Sequence, residues 1–390
     1  ADELVYALTN DTKFIRVEND ISTVNVDSES FAQCSIDRDL TLDLGGHTWI
    51  AAETIMINSD ADNGTTPAVT ICNGTILVGN GDCTVIRQNA GNLTIKDLTI
   101  NGKYNLGGTS VASIENCHIS RTAEPEYLNG DASAIQFLIG SSAEITQIKN
   151  STIIGYYLGI VMGSGSIGSI EGSTITGMMG SGISMKTMDN QTVSPKIGQI
   201  SGSSITSQKD GEYGIVGGGG IAVEIGSIVL YERQTISGIY GVNIVGSTLE
   251  NQGETYQVAG IDLQRAGSKI DAICNCKVTG IFILSGEIGT IESCTIDQIP
   301  EGNEYTAAIS SGSINASYPA SGSIGIIRDC IITVDKMNKH GIALLDGEIG
   351  MIAGSTITAT SAGIANYGTI DRVEDNAITA AEYGILNRGT

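Results

Sequence analysis

The sequence predicts an all-β fold: a single-stranded right-handed parallel β-helix of roughly fourteen coils with an N-terminal helical cap. Three observations predict it. The first is a recurring phrase of a turn-forming residue, a small one, any residue and a branched apolar one. It reads Asn73-Gly74-Thr75-Ile76, Asn116-Cys117-His118-Ile119, Gly172-Ser173-Thr174-Ile175, Ser293-Cys294-Thr295-Ile296 and Gly354-Ser355-Thr356-Ile357, among others. Its interval runs from 18 residues (Val278 to Ile296) to 36 (Ile296 to Ile332), the period of a solenoid. The second is a Gly-Ile-x-apolar phrase, as in Gly159-Ile160-Val161-Met162, Gly260-Ile261-Asp262-Leu263 and Gly341-Ile342-Ala343-Leu344. The third is composition: 51 Gly against 5 Pro suits many tight turns within sheet, and 41% hydrophobic residues suffice for one continuous core.

Taken in order, Asp2 to Leu8 reads as a short helix presenting Leu4, Ala7 and Leu8 to the first coil, covering an edge that an open solenoid leaves exposed. Residues 1–50 are the cap and first coil, residues 51–390 the repeated coils, and 1–390 a single domain. Each coil is expected to hold three short strands. The first carries Gly-Ile-x-apolar, the second reads like Ile167-Gly168-Ser169-Ile170, and the third is the opening phrase. Alternation places Ile inward and its neighbours outward. The Asn, Asp or Gly between second and third strands tolerates left-handed geometry and turns the chain, and stacked Asn side chains can bond along the axis. Fourteen coils at about 4.8 Å make a rod of roughly 65 Å. Gly384-Ile385-Leu386-Asn387 begins another coil, so the C-terminal end is expected to be completed by another domain or subunit.

Net charge is −23, from 43 acidic and 20 basic residues. That field disfavours nucleic acid and anionic membranes, and no apolar run reaches the roughly 18 residues of a membrane span. The start at Ala1-Asp2-Glu3 without Met leads us to expect a processed, secreted or cell-surface protein of bacterial-type export. Cys276, Cys294 and Cys330 share one repeat position with Ser151, Ser173, Ser203 and Ser355, which predicts stacked small interior side chains with free thiols. Parallel neighbours give poor disulfide geometry. No His/Cys spacing points to zinc.

The segment Leu40-Thr41-Leu42-Asp43-Leu44-Gly45-Gly46-His47-Thr48-Trp49-Ile50, with the Gly-Ile and Asn-x-x-Ile ladders, resembles the pectate-lyase-like superfamily of exported bacterial β-helix proteins. In that family Asn is usual where Gly45 stands. The likeness extends over nearly the whole chain and implies the fold. The superfamily holds lyases, hydrolases, tailspikes and adhesins, so the likeness does not choose an activity.

The resemblance implies that a glycan would lie along the first-strand face. Lys339-His340-Gly341-Ile342 is similar to the His-bearing strand of polygalacturonase-like hydrolases. The preceding first strands, at Ile309 and Ile281, supply no Asp for the paired carboxylates hydrolysis needs. A lyase-like set is the alternative. Outward positions give Ser184 and Lys186, then Glu224, Asn243, Asp262 and Gln264, with Arg265 beyond. Lys186 or Arg265 would be the base, and Glu224 and Asp262 would hold Ca2+. A recurring Glu-Tyr pair offers Tyr127, Tyr213 and Tyr305 for stacking on sugar rings beside Asn243 and Gln264. The preferred reading is a non-catalytic, adhesin-like surface protein presenting a long face to a polysaccharide or cell-surface glycan. The alternative is a calcium-assisted lyase of polyuronates acting by β-elimination.

Overall fold

The computed structural model describes residues 2–24, 34–59, 64, 66–78, 84–123, 132–185, 195–208, 221–223, 243–245, 247–251, 259–263, 268–297, 307–312 and 322–390. Within them the chain is a parallel β-helix solenoid with one helix, α1 (Asp2–Thr9). Among the described residues the strands form two parallel sheets, a narrow one of 14 strands and a broad one of 26. First strands stack to make the narrow sheet. Second and third strands make the broad one, and in Ala68–Val78 and Asn92–Asn101 the two run on as one strand.

Isoleucine ladders fill the interior. Ile95, Ile114, Ile148, Ile170, Ile200, Ile244, Ile273, Ile291, Ile327 and Ile352 follow one another in register, all fully buried. Burying such a side chain contributes about 1.5–3 kcal/mol, and the branched Cβ suits the pleat. The second strands depart from strict alternation, since Ile167 and Ile170 are three apart and both buried. The residue after the first Ile makes no ladder pair (Thr146, Gly168), and against Ala112–Ser113 Thr146 is a bulge that resets the phase. Later coils stack Gly289, Gly325 and Gly350 there. A Cβ on Gly325 would lie 2.4 Å from the Gly289 carbonyl oxygen, so the stack admits no side chain.

The corner between second and third strands is left-handed as expected, with φ of 58° at Asn73, 53° at Asn116, 48° at Asn150 and 55° at Asn275. Amides bond along the axis: Asn73 Nδ2 donates to Asp43 Oδ1 (3.1 Å) and Asn116 Nδ2 to Asp97 Oδ1 (3.0 Å). The Gly45 N–H also donates to Asp43 Oδ1 at 2.9 Å, and with Asn73 holds that carboxyl below its usual range. One residue on, hydroxyls and thiols form an interior relay. The Ser151 N–H donates to Ser173 Oγ (3.1 Å), whose hydroxyl donates to the Glu171 carbonyl (2.9 Å). Cys276, Cys294 and Cys330 continue it, and every described cysteine is a free thiol.

At the N-terminal end α1 buries Leu4 and Leu8, with Ala7 partly buried, as expected. Arg38 caps its C-terminus, Nη1 donating to the Leu8 carbonyl at 2.7 Å and Nη2 to that of Ala7 at 3.0 Å. The last described coil leaves its inward ladder open: Ile385, in register with Ile364, is half exposed. No helix among the described residues is long and apolar enough to cross a membrane.

Candidate functional site

Alternation along each first strand decides what reaches the outer side of the narrow sheet. The outward residues follow in register as Ser35, Met56, Arg87, Asn105, Gln136 and Val161. The row goes on through Ser184, Ala222, Asp262, Phe282 and Ser310. Its two halves differ. Ser35 and Arg87 are exposed, Met56, Gln136 and Val161 are half-buried, and Asn105 among them is buried. Further along, Ser184, Asp262 and Ser310 are buried, and among the described residues the Ser184 and Ser310 hydroxyls have no hydrogen-bond partner.

The expected patch is therefore altered where the structure describes it. Asp262 does lie on the row, in register between Ala222 and Phe282, yet it is 1% exposed and not a solvated ligand. Asn243 belongs to the broad sheet, where Asn243–Val245 pairs with strands at Gln199 and Ala272. Gly241-Val242-Asn243-Ile244 imitates a first-strand phrase, but Ile244 continues the broad-sheet ladder between Ile200 and Ile273, and that burial sets the register. Lys186, Glu224, Gln264, Arg265, Tyr127, Tyr213 and Tyr305 lie outside the described residues, as does any pairing of Glu224 with Asp262. Of the Glu-Tyr pairs, Glu382-Tyr383 is described. Tyr383 is exposed, and the Glu382 carboxylate accepts from Ser361 Oγ at 2.9 Å. Among the described residues no three His, Cys, Asp or Glu side chains converge as metal ligands.

His340 is half-buried at the start of the narrow-sheet strand His340–Leu344. Its Nδ1 accepts from the Ala362 N–H at 3.1 Å, so the ring carries its proton on Nε2 when neutral. Desolvation lowers its pKa from 6.5, opposed by Glu382 and aided by Lys339. A histidine bonded in this way orients a strand end rather than polarising a substrate.

The open half of the row carries an amide ladder that the sequence motifs did not single out. Asn58 Nδ2 donates to Ser35 Oγ (2.9 Å), Asn89 Nδ2 to Asn58 Oδ1 (2.8 Å), and Arg87 Nε to Asn89 Oδ1 (3.3 Å). One coil on, Asn105 Nδ2 donates to Thr84 Oγ1 (3.0 Å), while its Oδ1 is buried with no donor among the described residues. These strands lack the Gly-Ile phrase, and Gln88 occupies an inward position where an apolar residue is expected. Its Nε2 donates to the Gly91 and Val111 carbonyls at 2.8 and 3.0 Å, and its Oε1 accepts from the Tyr104 hydroxyl. The alternation of Ile86 and Gln88 about Arg87 was the legible signal, masked by a polar interior residue.

The stacked parallel strands bear out the fold implied by the likeness to the pectate-lyase-like superfamily. No protein-family description matches this chain, and no curated protein matches it significantly.

Proposed function

We propose that this chain is an extracellular or cell-surface β-helix protein that presents its narrow-sheet face to a glycan without transforming it. The observation that carries this reading is the amide ladder from Ser35 through Asn58 and Asn89 to Arg87, with a separate Asn105–Thr84 bond on the next strand. Its groups repeat at the strand spacing of about 4.8 Å, on a scaffold locked by fully buried isoleucines. Donors and acceptors held at fixed rise meet the hydroxyls of an extended sugar chain with little ordering cost on the protein side. The half-buried Met56, within the ladder, and Val161, two strands beyond Asn105, add apolar surface on which a sugar ring can lie.

The test is a glycan array, followed by ultraviolet absorbance during incubation with polyuronates, with and without added Ca2+. Retention of glycans with flat absorbance is the expected result. A calcium-dependent rise in absorbance, abolished by Lys186→Ala or Arg265→Ala, would establish the lyase and overturn the non-catalytic reading. Retention of no glycan at all would remove the glycan as partner.

A further inference from the structure

The third strands of the broad sheet carry another outward row, on a face that the narrow-sheet site does not use. It runs in register from Thr48 through thirteen successive positions to Ala377. Nine of them bear a hydroxyl, and the exceptions are His118, Lys277, Ile331 and Ala377. Thr152, Thr174, Ser204 and Thr248 form the longest unbroken run. Thr174 is exposed and the other three are half-buried. The Thr152 and Thr174 hydroxyls bond to no described residue, whereas Thr146 Oγ1 on a second strand donates to the Ala112 carbonyl at 3.0 Å. The positions beside the run, Ile154, Thr176 and Thr206, are likewise uncharged. Charge is not scarce nearby: on the second strands Lys96, Glu115, Lys149 and Glu171 alternate in register. A neutral face on a chain of net charge −23 fits a neutral partner.

One hydroxyl that exchanges water for a partner gains little. The row therefore selects a partner that repeats along it and meets many hydroxyls at once. Its rungs are about 4.8 Å apart. In tetrahedrally bonded water, two oxygens that share a neighbour lie about 4.5 Å apart, given a bond of roughly 2.75 Å. The mismatch of about 0.3 Å per rung keeps the four-residue run in step to within about 1 Å. Threonine suits such a lattice because its hydroxyl donates and accepts at once, and its branched Cβ holds that hydroxyl in few rotamers. Ile153, Ile175, Ile205 and Leu249, fully buried between the outward positions, fix the strands beneath. We propose that this third-strand face, centred on Thr152, Thr174, Ser204 and Thr248, binds the surface of ice. Liquid water offers no lattice to match, so an array held at fixed rise is preorganised for the solid alone. This face and the narrow-sheet face are separate, and each can bind without the other.

The experiment grows ice slowly in a dilute solution of the full chain and measures the protein retained in the solid, with microcrystalline cellulose as a second surface. The parent is expected to enter the ice rather than be excluded with the solutes. Thr174→Tyr lifts the flanking rungs off the lattice and cuts retention about tenfold or more. Its thermal unfolding is unchanged, because the side chain is exposed. Thr174→Val, which keeps the shape but not the hydroxyl, falls between. Thr94→Tyr, exposed on a second strand of the same sheet, is retained as the parent is. Exclusion of the parent from ice, a Thr174→Tyr variant retained like the parent, or an equal loss in Thr94→Tyr overturns the proposal. So does adsorption to cellulose with none to ice, which would make the row a glycan surface. A Thr174→Tyr variant that loses ice and keeps the parent's glycans on the array supports two separate faces.

Discussion

Cys117 shows how single side chains close each coil. Its backbone N–H donates to Ser151 Oγ at 3.0 Å, and its own thiol donates to the Glu115 carbonyl at 3.1 Å. Serine and cysteine interchange at this position because both are small and can donate once and accept once. Burial pushes the Cys117 thiol up to about 11 and that of Cys34 up to about 12. The Cys276 thiol rises too, through its contact with Cys294 and through burial. Thiolate is the reactive form, so these three should resist a thiol reagent in the native protein at pH 8. Cys72 and Cys274, which are half-buried, should label first. Site-resolved mass spectrometry checks the order, and native labelling of Cys276 ahead of Cys72 would contradict the interior relay. His340 gives a pH dependence. Its folded pKa lies below 6.5, so the unfolded chain binds more protons between the two values. Its contribution to stability is complete above about pH 6.5 and is lost as pH falls towards the folded pKa. Melting temperatures of the parent and His340→Gln, compared from about pH 5 to 8, should converge on the acid side. A constant difference would exclude the titration.

Among the elements, the second strand is the one whose phase pattern reading places least well. A three-residue spacing of inward isoleucines is forbidden to a regular strand and allowed only by a bulge. Where the bulge is glycine, its neighbours in adjacent coils approach too closely for a Cβ. Gly325→Ala should destabilise by about 1–3 kcal/mol, since the obstructing atom is a backbone carbonyl that cannot turn aside. Gly384→Ala is the control, because nothing lies within 4 Å of its added Cβ. Denaturant midpoints measure the difference, and equal midpoints for the two variants would refute the stacking argument. Lateral ion pairs between coils, such as Arg328 with Glu292 at 2.7 Å and Lys269 with Glu287 at 3.2 Å, lie on exposed surface and add little.

Over the whole molecule, stability comes from neighbouring coils acting as a one-dimensional stack. Ile261 is fully buried and lies in register between Ile221 and Ile281. Ile261→Asp places a charge where it has no solvent, and the expected loss is roughly 4 kcal/mol or more. Because each coil is held only by its neighbours, hydrogen exchange should rise over several coils around the lesion while α1 and the first coils stay protected. An unchanged thermal melt would contradict the register.

Three things were legible in the residues alone: the solenoid, the left-handed corners at Asn73, Asn116 and Asn150, and the free thiols of the interior row. Each follows from local chemistry repeated many times, namely backbone preference at a corner, side-chain size at an interior position and isoleucine at a fixed phase. Tertiary structure decided the rest. Whether an outward side chain meets water depends on what lies over it, and alternation says nothing of that, so Asp262 proved buried while Arg87 is open. Which sheet a short strand joins depends on which ladder its one buried residue extends, and that moved Asn243 to the broad sheet. The amide bonds between Ser35 and Asn105 arise only when residues 21 to 31 apart in sequence are stacked at one strand spacing.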